Sequence, residues 1–147
     1  MISIYLDDLR TPLEPPSPNS HWAVIRNYED FVNLIEDVGL ENIEVISFDH
    51  DLDRSATMHY LEYVKNNYEI DYSKIKEPTG LDAVKWLVAH SLTTGKQIPK
   101  CYVHSANPIG SGNMMGYLNL YLKNCKRPED CIRVIWDHEM NGRIFRK

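Results

Sequence analysis

The chain has 147 residues, 43% of them hydrophobic and 25% charged, and this balance excludes disorder, collagen and coiled coil and fits one globular domain. Its 16 basic and 21 acidic residues leave a net charge of −5, so the surface as a whole does not attract nucleic acid, although a local basic patch is compatible with that charge. No run approaches the roughly 20 apolar residues of a membrane span, and the first residues lack the basic start and apolar stretch of a signal peptide.

A single cytoplasmic domain over residues 1–147 is therefore expected, with no membrane partner. Three cysteines, Cys101, Cys125 and Cys131, include no CxxC pair and read as reduced, packed thiols.

In chain order, the first run rich in β-branched and aromatic residues is Ile2–Leu6, which predicts a strand. Arg10 to Ser20 follows with Pro12, Pro15, Pro16 and Pro18. Proline removes backbone donors and fixes φ, so this stretch is a loop with polyproline character. Trp22–Ile25 predicts a second strand whose position and direction stay open. Asn27, with Asp30 three residues on, caps a helix whose stripe is Phe31, Leu34, Ile35 and Val38 and whose stop is Gly39. Ile43–Phe48 is a third strand, and Ser55–Asn67 reads as a polar helix. Thr79 and Asp82 repeat the capping pattern before Leu81, Val84, Leu87 and Val88, with Gly95 as the stop. Cys101–His104 is a fourth strand. Ser111 or Asn113 opens a helix carrying Met114, Leu118, Tyr121 and Leu122, and Ile132–Trp136 is a fifth strand. Strands alternating with helices predict an α/β layered fold with a mostly parallel sheet.

In such sheets ligands bind outside the carboxyl ends of the strands. Here those ends carry Asp7-Asp8-Leu9-Arg10, Asp49-His50-Asp51, His104-Ser105-Ala106-Asn107-Pro108 and Asp137-His138-Glu139. Four strand ends with carboxylates and imidazoles on one edge point to a site. Crowded carboxylates repel, and a proton or a cation must offset that repulsion. Asp7, Asp8 and Asp49 offer hard oxygen donors for Mg²⁺ or Mn²⁺. His50, His104 and His138 suit acid–base work near neutral pH, or ligation of Zn²⁺ or Mn²⁺ beside the aspartates. Arg10 can neutralise a phosphate or pair with Asp8. Ser105, Asn107 and Asn113 are neutral donors, and Gly110-Ser-Gly112 precedes a helix start, where free N–H groups hold anions. Asp51 and Asp53 equally read as helix caps, and Tyr60, Tyr63, Tyr117 and Tyr121 as packing rather than base stacking.

Asp7-Asp8, Asp49 and Ser105 at these strand ends resemble the receiver domain of two-component response regulators. The resemblance implies a flavodoxin-like three-layer sandwich with a five-stranded sheet, Mg²⁺ on Asp7, Asp8 and Asp49, a phosphoryl group accepted at Asp49, and contact to it from Ser105. A closer resemblance is to cyclic-phosphate processing receiver domains, carried by Leu6-Asp7-Asp8-Leu9-Arg10-Thr11-Pro12, Phe48-Asp49-His50-Asp51-Leu52, Thr79-Gly80 and His104-Ser105-Ala106-Asn107-Pro108. Three features depart from ordinary receivers, the first being the added histidines beside the acidic site. The Pro-rich loop replaces the first crossover helix, and Trp136-Asp137-His138 stands where a lysine follows the fifth strand, Lys147 being too distant to take that role.

These departures favour phosphoester chemistry over signalling, and the resemblance implies a metal-dependent phosphoesterase that opens a cyclic phosphate on an RNA end or nucleotide. Asp49, His50, His104 and Ser105 would then be catalytic, with Arg10, Asn107 and Asn113 holding the substrate. The alternative is a receiver-type phosphoacceptor or phosphate-binding module in signalling.

Overall fold

The structure, a computed structural model, describes residues 1–12, 14–135 and 143–145. Five strands, β1 (Ile2–Leu6), β2 (His21–Ile25), β3 (Ile43–Phe48), β4 (Lys100–Val103) and β5 (Cys131–Ile135), run parallel in the order β2-β1-β3-β4-β5. A sixth, β6 (Arg143–Phe145), which the sequence patterns did not predict, pairs antiparallel with β5 at the edge. The second strand is thereby placed: it lies parallel to β1 at the other edge, with Ile2 opposite His21 and Leu6 opposite Ile25. Among the described residues between β1 and β2 there is no helix, so the Pro-rich loop makes the crossover. It is fastened by Ser3 and Ser20, whose hydroxyls meet at 2.8 Å, and by Trp22 Nε1, which donates to the Glu14 carbonyl at 2.8 Å.

Three long helices cover one face of the sheet. Helix α1 (Tyr28–Val38) starts on Asn27, whose side chain accepts from Asp30 N–H, and stops at Gly39, whose φ is 88°. The segment after β3 is a short helix α2 (Arg54–His59), a π turn (Tyr60–Val64) and a last turn α3 (Lys65–Asn67). Helix α4 (Gly80–Thr94) carries the capping box of Thr79 and Asp82. Helix α5 (Pro108–Asn124) begins earlier than Ser111 or Asn113, because Asn107 is the cap and Pro108 fills the first turn, where its missing N–H costs nothing.

Strand side chains alternate between faces. Ile4, Leu6, Ile46, Phe48, Cys101 and Val103 therefore face the helices and form one core with Phe31, Ile35, Val84, Leu87, Met114, Leu118 and Leu122. The intervening positions Ser3, Tyr5 and Ser47 face the other way, and they too are buried. Cys101 and Cys131 are buried thiols on adjacent strands, and Cys125 is exposed.

Gly80 is where α4 meets the chain leaving β3. Its N–H donates to the His50 carbonyl at 2.8 Å, and a Cβ there would lie 1.9 Å from the Asp49 carbonyl oxygen. Gly112, inside α5, has open space around it. Gly80→Ala should therefore destabilise the fold by about 2 kcal/mol or more through overpacking, whereas Gly112→Ala should stabilise it by about 0.5–1 kcal/mol through helix propensity. Urea unfolding of the two variants checks the pair, and equal stabilities would contradict the packing described.

Candidate functional site

Alternation at the strand ends builds the site. Asp7 continues the parity of Ser3 and Tyr5 past β1, Asp49 that of Ser47 past β3, and His104 lies one residue past β4 on the same side. The ladder extends beyond the strands to hold them: Asp49 N–H donates to Leu6 O, and His104 N–H to Phe48 O, both at 2.9 Å. Donor atoms of Asp7, Asp49 and His104 consequently lie within 4.8 Å of one another, and all three residues are buried.

Each carboxylate oxygen of Asp7 is engaged. Oδ1 accepts from the backbone N–H groups of Leu9 (2.9 Å) and Arg10 (2.8 Å). Oδ2 accepts from Arg10 Nε at 2.8 Å and meets His104 Nε2 at 3.0 Å. Burial raises the Asp7 pKa, but the His104 and backbone hydrogen bonds outweigh it and hold the carboxyl at about 2. Asp49 Oδ1 accepts from His50 N–H at 2.9 Å and faces Arg10 Nη2 at 3.2 Å. Here burial and the Asp7 charge win over Arg10, and the carboxyl is pushed up to about 8. Asp8 stands half-buried at the rim, its pKa raised by burial and then by Asp7.

His104 is buried with its ring stacked on Tyr5 at 4.3 Å. Burial lowers its pKa despite the Asp7 hydrogen bond. The neutral ring donates from Nε2 to ionised Asp7, which leaves Nδ1 to accept from the Ser47 hydroxyl at 2.6 Å. Ser47 and Tyr5 are thus functional neighbours that motif reading missed. Their signal was a buried polar group inside otherwise apolar strands, and the Tyr5 hydroxyl has no hydrogen-bond partner among the described residues.

His50 takes the opposite parity and turns toward the helices. A Cβ on Gly110 of α5 would lie 2.4 Å from its ring. Its Nδ1 meets Asp51 Oδ1 at 2.7 Å and its Nε2 the Tyr72 hydroxyl at 2.9 Å. Asn107 accepts from Gly110 N–H at 3.0 Å and donates Nδ2 to Asp51 at 3.2 Å. Asn113, exposed on α5, donates to the Tyr72 hydroxyl at 3.2 Å. His50 and His104, both expected to be catalytic, are therefore divided between two faces of the sheet. Tyr72 was not identified from the sequence because it sits in a one-turn helix, Tyr72–Lys74, with no periodic pattern around it. Ser105 is buried beside this network, its hydroxyl accepting from Asn107 N–H at 3.1 Å. Asp137, His138 and Glu139 lie outside the described residues.

The two aspartates have opposite linkage to folding. Asp49 retains in the folded chain a proton that an unfolded carboxyl loses near pH 4, so its contribution makes metal-free stability fall as pH rises from about 4 to about 8. Asp7 contributes stability above the ordinary carboxylate range and loses it as pH falls toward 2. Asp49→Asn should raise the metal-free melting temperature at pH 8 by roughly 3–6 °C, the shift that about 1–2 kcal/mol makes in a domain of this size. The gain should shrink at pH 5. Thermal scans at the two pH values check this, and a variant no more stable than wild type at pH 8 would contradict it.

No helix among the described residues is long and apolar enough to cross a membrane. No curated protein and no solved structure matches the chain. The family model of the cyclic-phosphate processing receiver domain matches residues 2–120, a span that runs from β1 into α5 and takes in Asp7, Asp8, Arg10, Asp49, His50, His104 and Ser105. By that match and by its β2-β1-β3-β4-β5 parallel sheet, the chain belongs to the cyclic-phosphate processing receiver domains.

Proposed function

We propose that the chain is a metal-dependent phosphoesterase that opens a cyclic phosphate on an RNA end or nucleotide. The observation that carries this reading is the pair of buried carboxylates, Asp7 and Asp49, crowded at the carboxyl edge of the sheet and bridged by one guanidinium, in a family tied by its name to cyclic-phosphate processing.

A divalent ion fits this donor set. Asp7, Asp8, Asp49 and Asp51 act on one another electrostatically, and Arg10 alone does not suffice to keep Asp49 ionised at neutral pH. The carboxylate oxygens of Asp7 and Asp49, in surroundings of excess negative charge, favour Mg²⁺ or Mn²⁺ over softer ions. Asp7, Asp8 and Asp49 would hold it, and when bound it supplies Lewis-acid stabilisation of charge on a phosphoryl oxygen.

The remaining roles belong to the chain. His104 acts as a positioning residue: its Nε2–H fixes the orientation of Asp7, and Ser47 fixes its tautomer. Arg10, with its side chain 30% exposed, binds a phosphate oxygen from the solvent side. Asp51 orients His50, which leaves Nε2 to accept from the Tyr72 hydroxyl. His50 therefore does its acid–base work through Tyr72, taking the phenolic proton at Nε2 as Tyr72 Oη takes one from the attacking water, while the leaving sugar oxygen takes its proton from solvent. Asn113 orients that hydroxyl, and Asn107 and Ser105 hold the β4–α5 corner against Asp51.

The test is a cleavage assay with Mn²⁺ or Mg²⁺ on an RNA oligomer ending in a 2′,3′-cyclic phosphate, with end groups read by mass spectrometry. Ring opening should require the metal and be lost in Asp49→Ala. His104→Ala should lower metal affinity or rate by about 10–100-fold, as loss of a ligand-orienting partner does. Tyr72→Phe should flatten one limb of the pH–rate profile. Metal-loaded, folded protein that opens neither this end nor cyclic mononucleotides would overturn the reading.

A further inference from the structure

Arg10 stands between the two carboxylates that a cation is proposed to join. Its Nε lies 2.8 Å from Asp7 Oδ2 and its Nη2 3.2 Å from Asp49 Oδ1. A planar fork reaching both carboxyl groups in this way places one positive charge where the proposed ion would sit. We infer that Arg10 is a built-in occupant of the cation position, displaced when a divalent ion enters, and that the released guanidinium then anchors the phosphate, so that metal and phosphate bind as a linked pair. This inference rests on the metal site proposed above.

Three observations carry it. The guanidinium and the ion would compete for the same oxygens, because Asp7 Oδ2 and Asp49 Oδ1 are both already in contact with Arg10. The Arg10 side chain is 30% exposed whereas those of Asp7 and Asp49 are 0% and 6% exposed, so the arginine can swing outward while the carboxylates stay. The backbone under it is held separately. Arg26 Nη1 donates to the carbonyls of Asp7 (3.2 Å) and Arg10 (2.8 Å), its Nη2 donates to the Thr11 hydroxyl at 2.8 Å, and Arg10 N–H donates to Asp7 Oδ1 at 2.8 Å. Release of the side chain therefore leaves the loop and the ligand geometry of Asp7 in place. An anion that gives the freed guanidinium a new partner favours the metal-bound arrangement, and by reciprocity the metal favours the anion.

Calorimetric titration of Mn²⁺ into wild type, Arg10→Gln, Arg10→Lys and Asp49→Asn tests this without reference to turnover. Arg10→Gln should bind Mn²⁺ at least tenfold more tightly than wild type. Arg10→Lys should also bind more tightly, because an ammonium does not bridge two carboxylates as a fork does, and it serves as the second variant should Arg10→Gln fail to fold by circular dichroism. Inorganic phosphate should tighten Mn²⁺ binding to wild type more than to Arg10→Gln. Wild-type affinity that equals or exceeds that of both Arg10 variants would overturn the inference and leave the metal site standing. Absence of Mn²⁺ binding to wild type and both Arg10 variants, or binding unchanged in Asp49→Asn, would overturn the metal site as well.

Discussion

Two carboxylates buried within reach of each other are the constraint around which the carboxyl edge of this sheet is built. Taking a carboxylate out of water costs several kcal/mol unless charge and hydrogen bonds replace its hydration. Asp7 receives that replacement in full, from two backbone N–H groups, Arg10 and His104. Asp49 does not, and burial beside the Asp7 charge pushes its carboxyl up to about 8. The asymmetry sets the character of the site: one carboxylate is fixed and ionised, and its neighbour is poised to ionise when more positive charge arrives. Such a pair costs stability in the metal-free chain, the cost expected if the proposed cation is its partner.

Side-chain alternation at the strand ends then sorts the rest. Asp7, Asp49 and His104 share the face of Tyr5 and Ser47, while His50 falls to the helix face beneath Gly110. The two imidazoles consequently have different work. His104 is neutral, stacked and committed at both nitrogens to Asp7 and Ser47. His50 joins Asp51 to Tyr72 and so extends the acidic edge toward α5. Gly80 and Gly110 let α4 and α5 close on the chain leaving β3, because a Cβ at Gly80 would strike the Asp49 carbonyl and one at Gly110 the His50 ring.

Much of this was legible in the residues. β1 and β3 have the bounds their apolar runs predict, and α1 and α4 start and stop at Asn27, Gly39, Thr79 and Gly95 as their caps require. Those signals are local, and local physics decides them. The start of α5 was misjudged because Asn107 was read as a ligand-facing donor rather than as the cap ahead of Pro108. In the site, the residue types after β1, β3 and β4 marked the carboxyl edge as the place to look, and the crowding of Asp7 and Asp49 followed from the parallel fold. The partition of His50 from His104, the bridge made by Arg10 and the arrival of Tyr72 were not legible. They depend on side-chain direction past the strand ends and on an irregular segment brought in from 22 residues away, and neither leaves a periodic trace in sequence.

The chemistry proposed for this edge depends on what occupies the space between Asp7 and Asp49. Crystals grown with Mn²⁺ and measured at an anomalous wavelength would show it directly. One anomalous peak among the carboxylates of Asp7, Asp8 and Asp49, with the Arg10 guanidinium turned away and His104 still on Asp7, is the predicted result. Arg10 still bridging Asp7 and Asp49 at saturating Mn²⁺, with the ion elsewhere or absent, would contradict it.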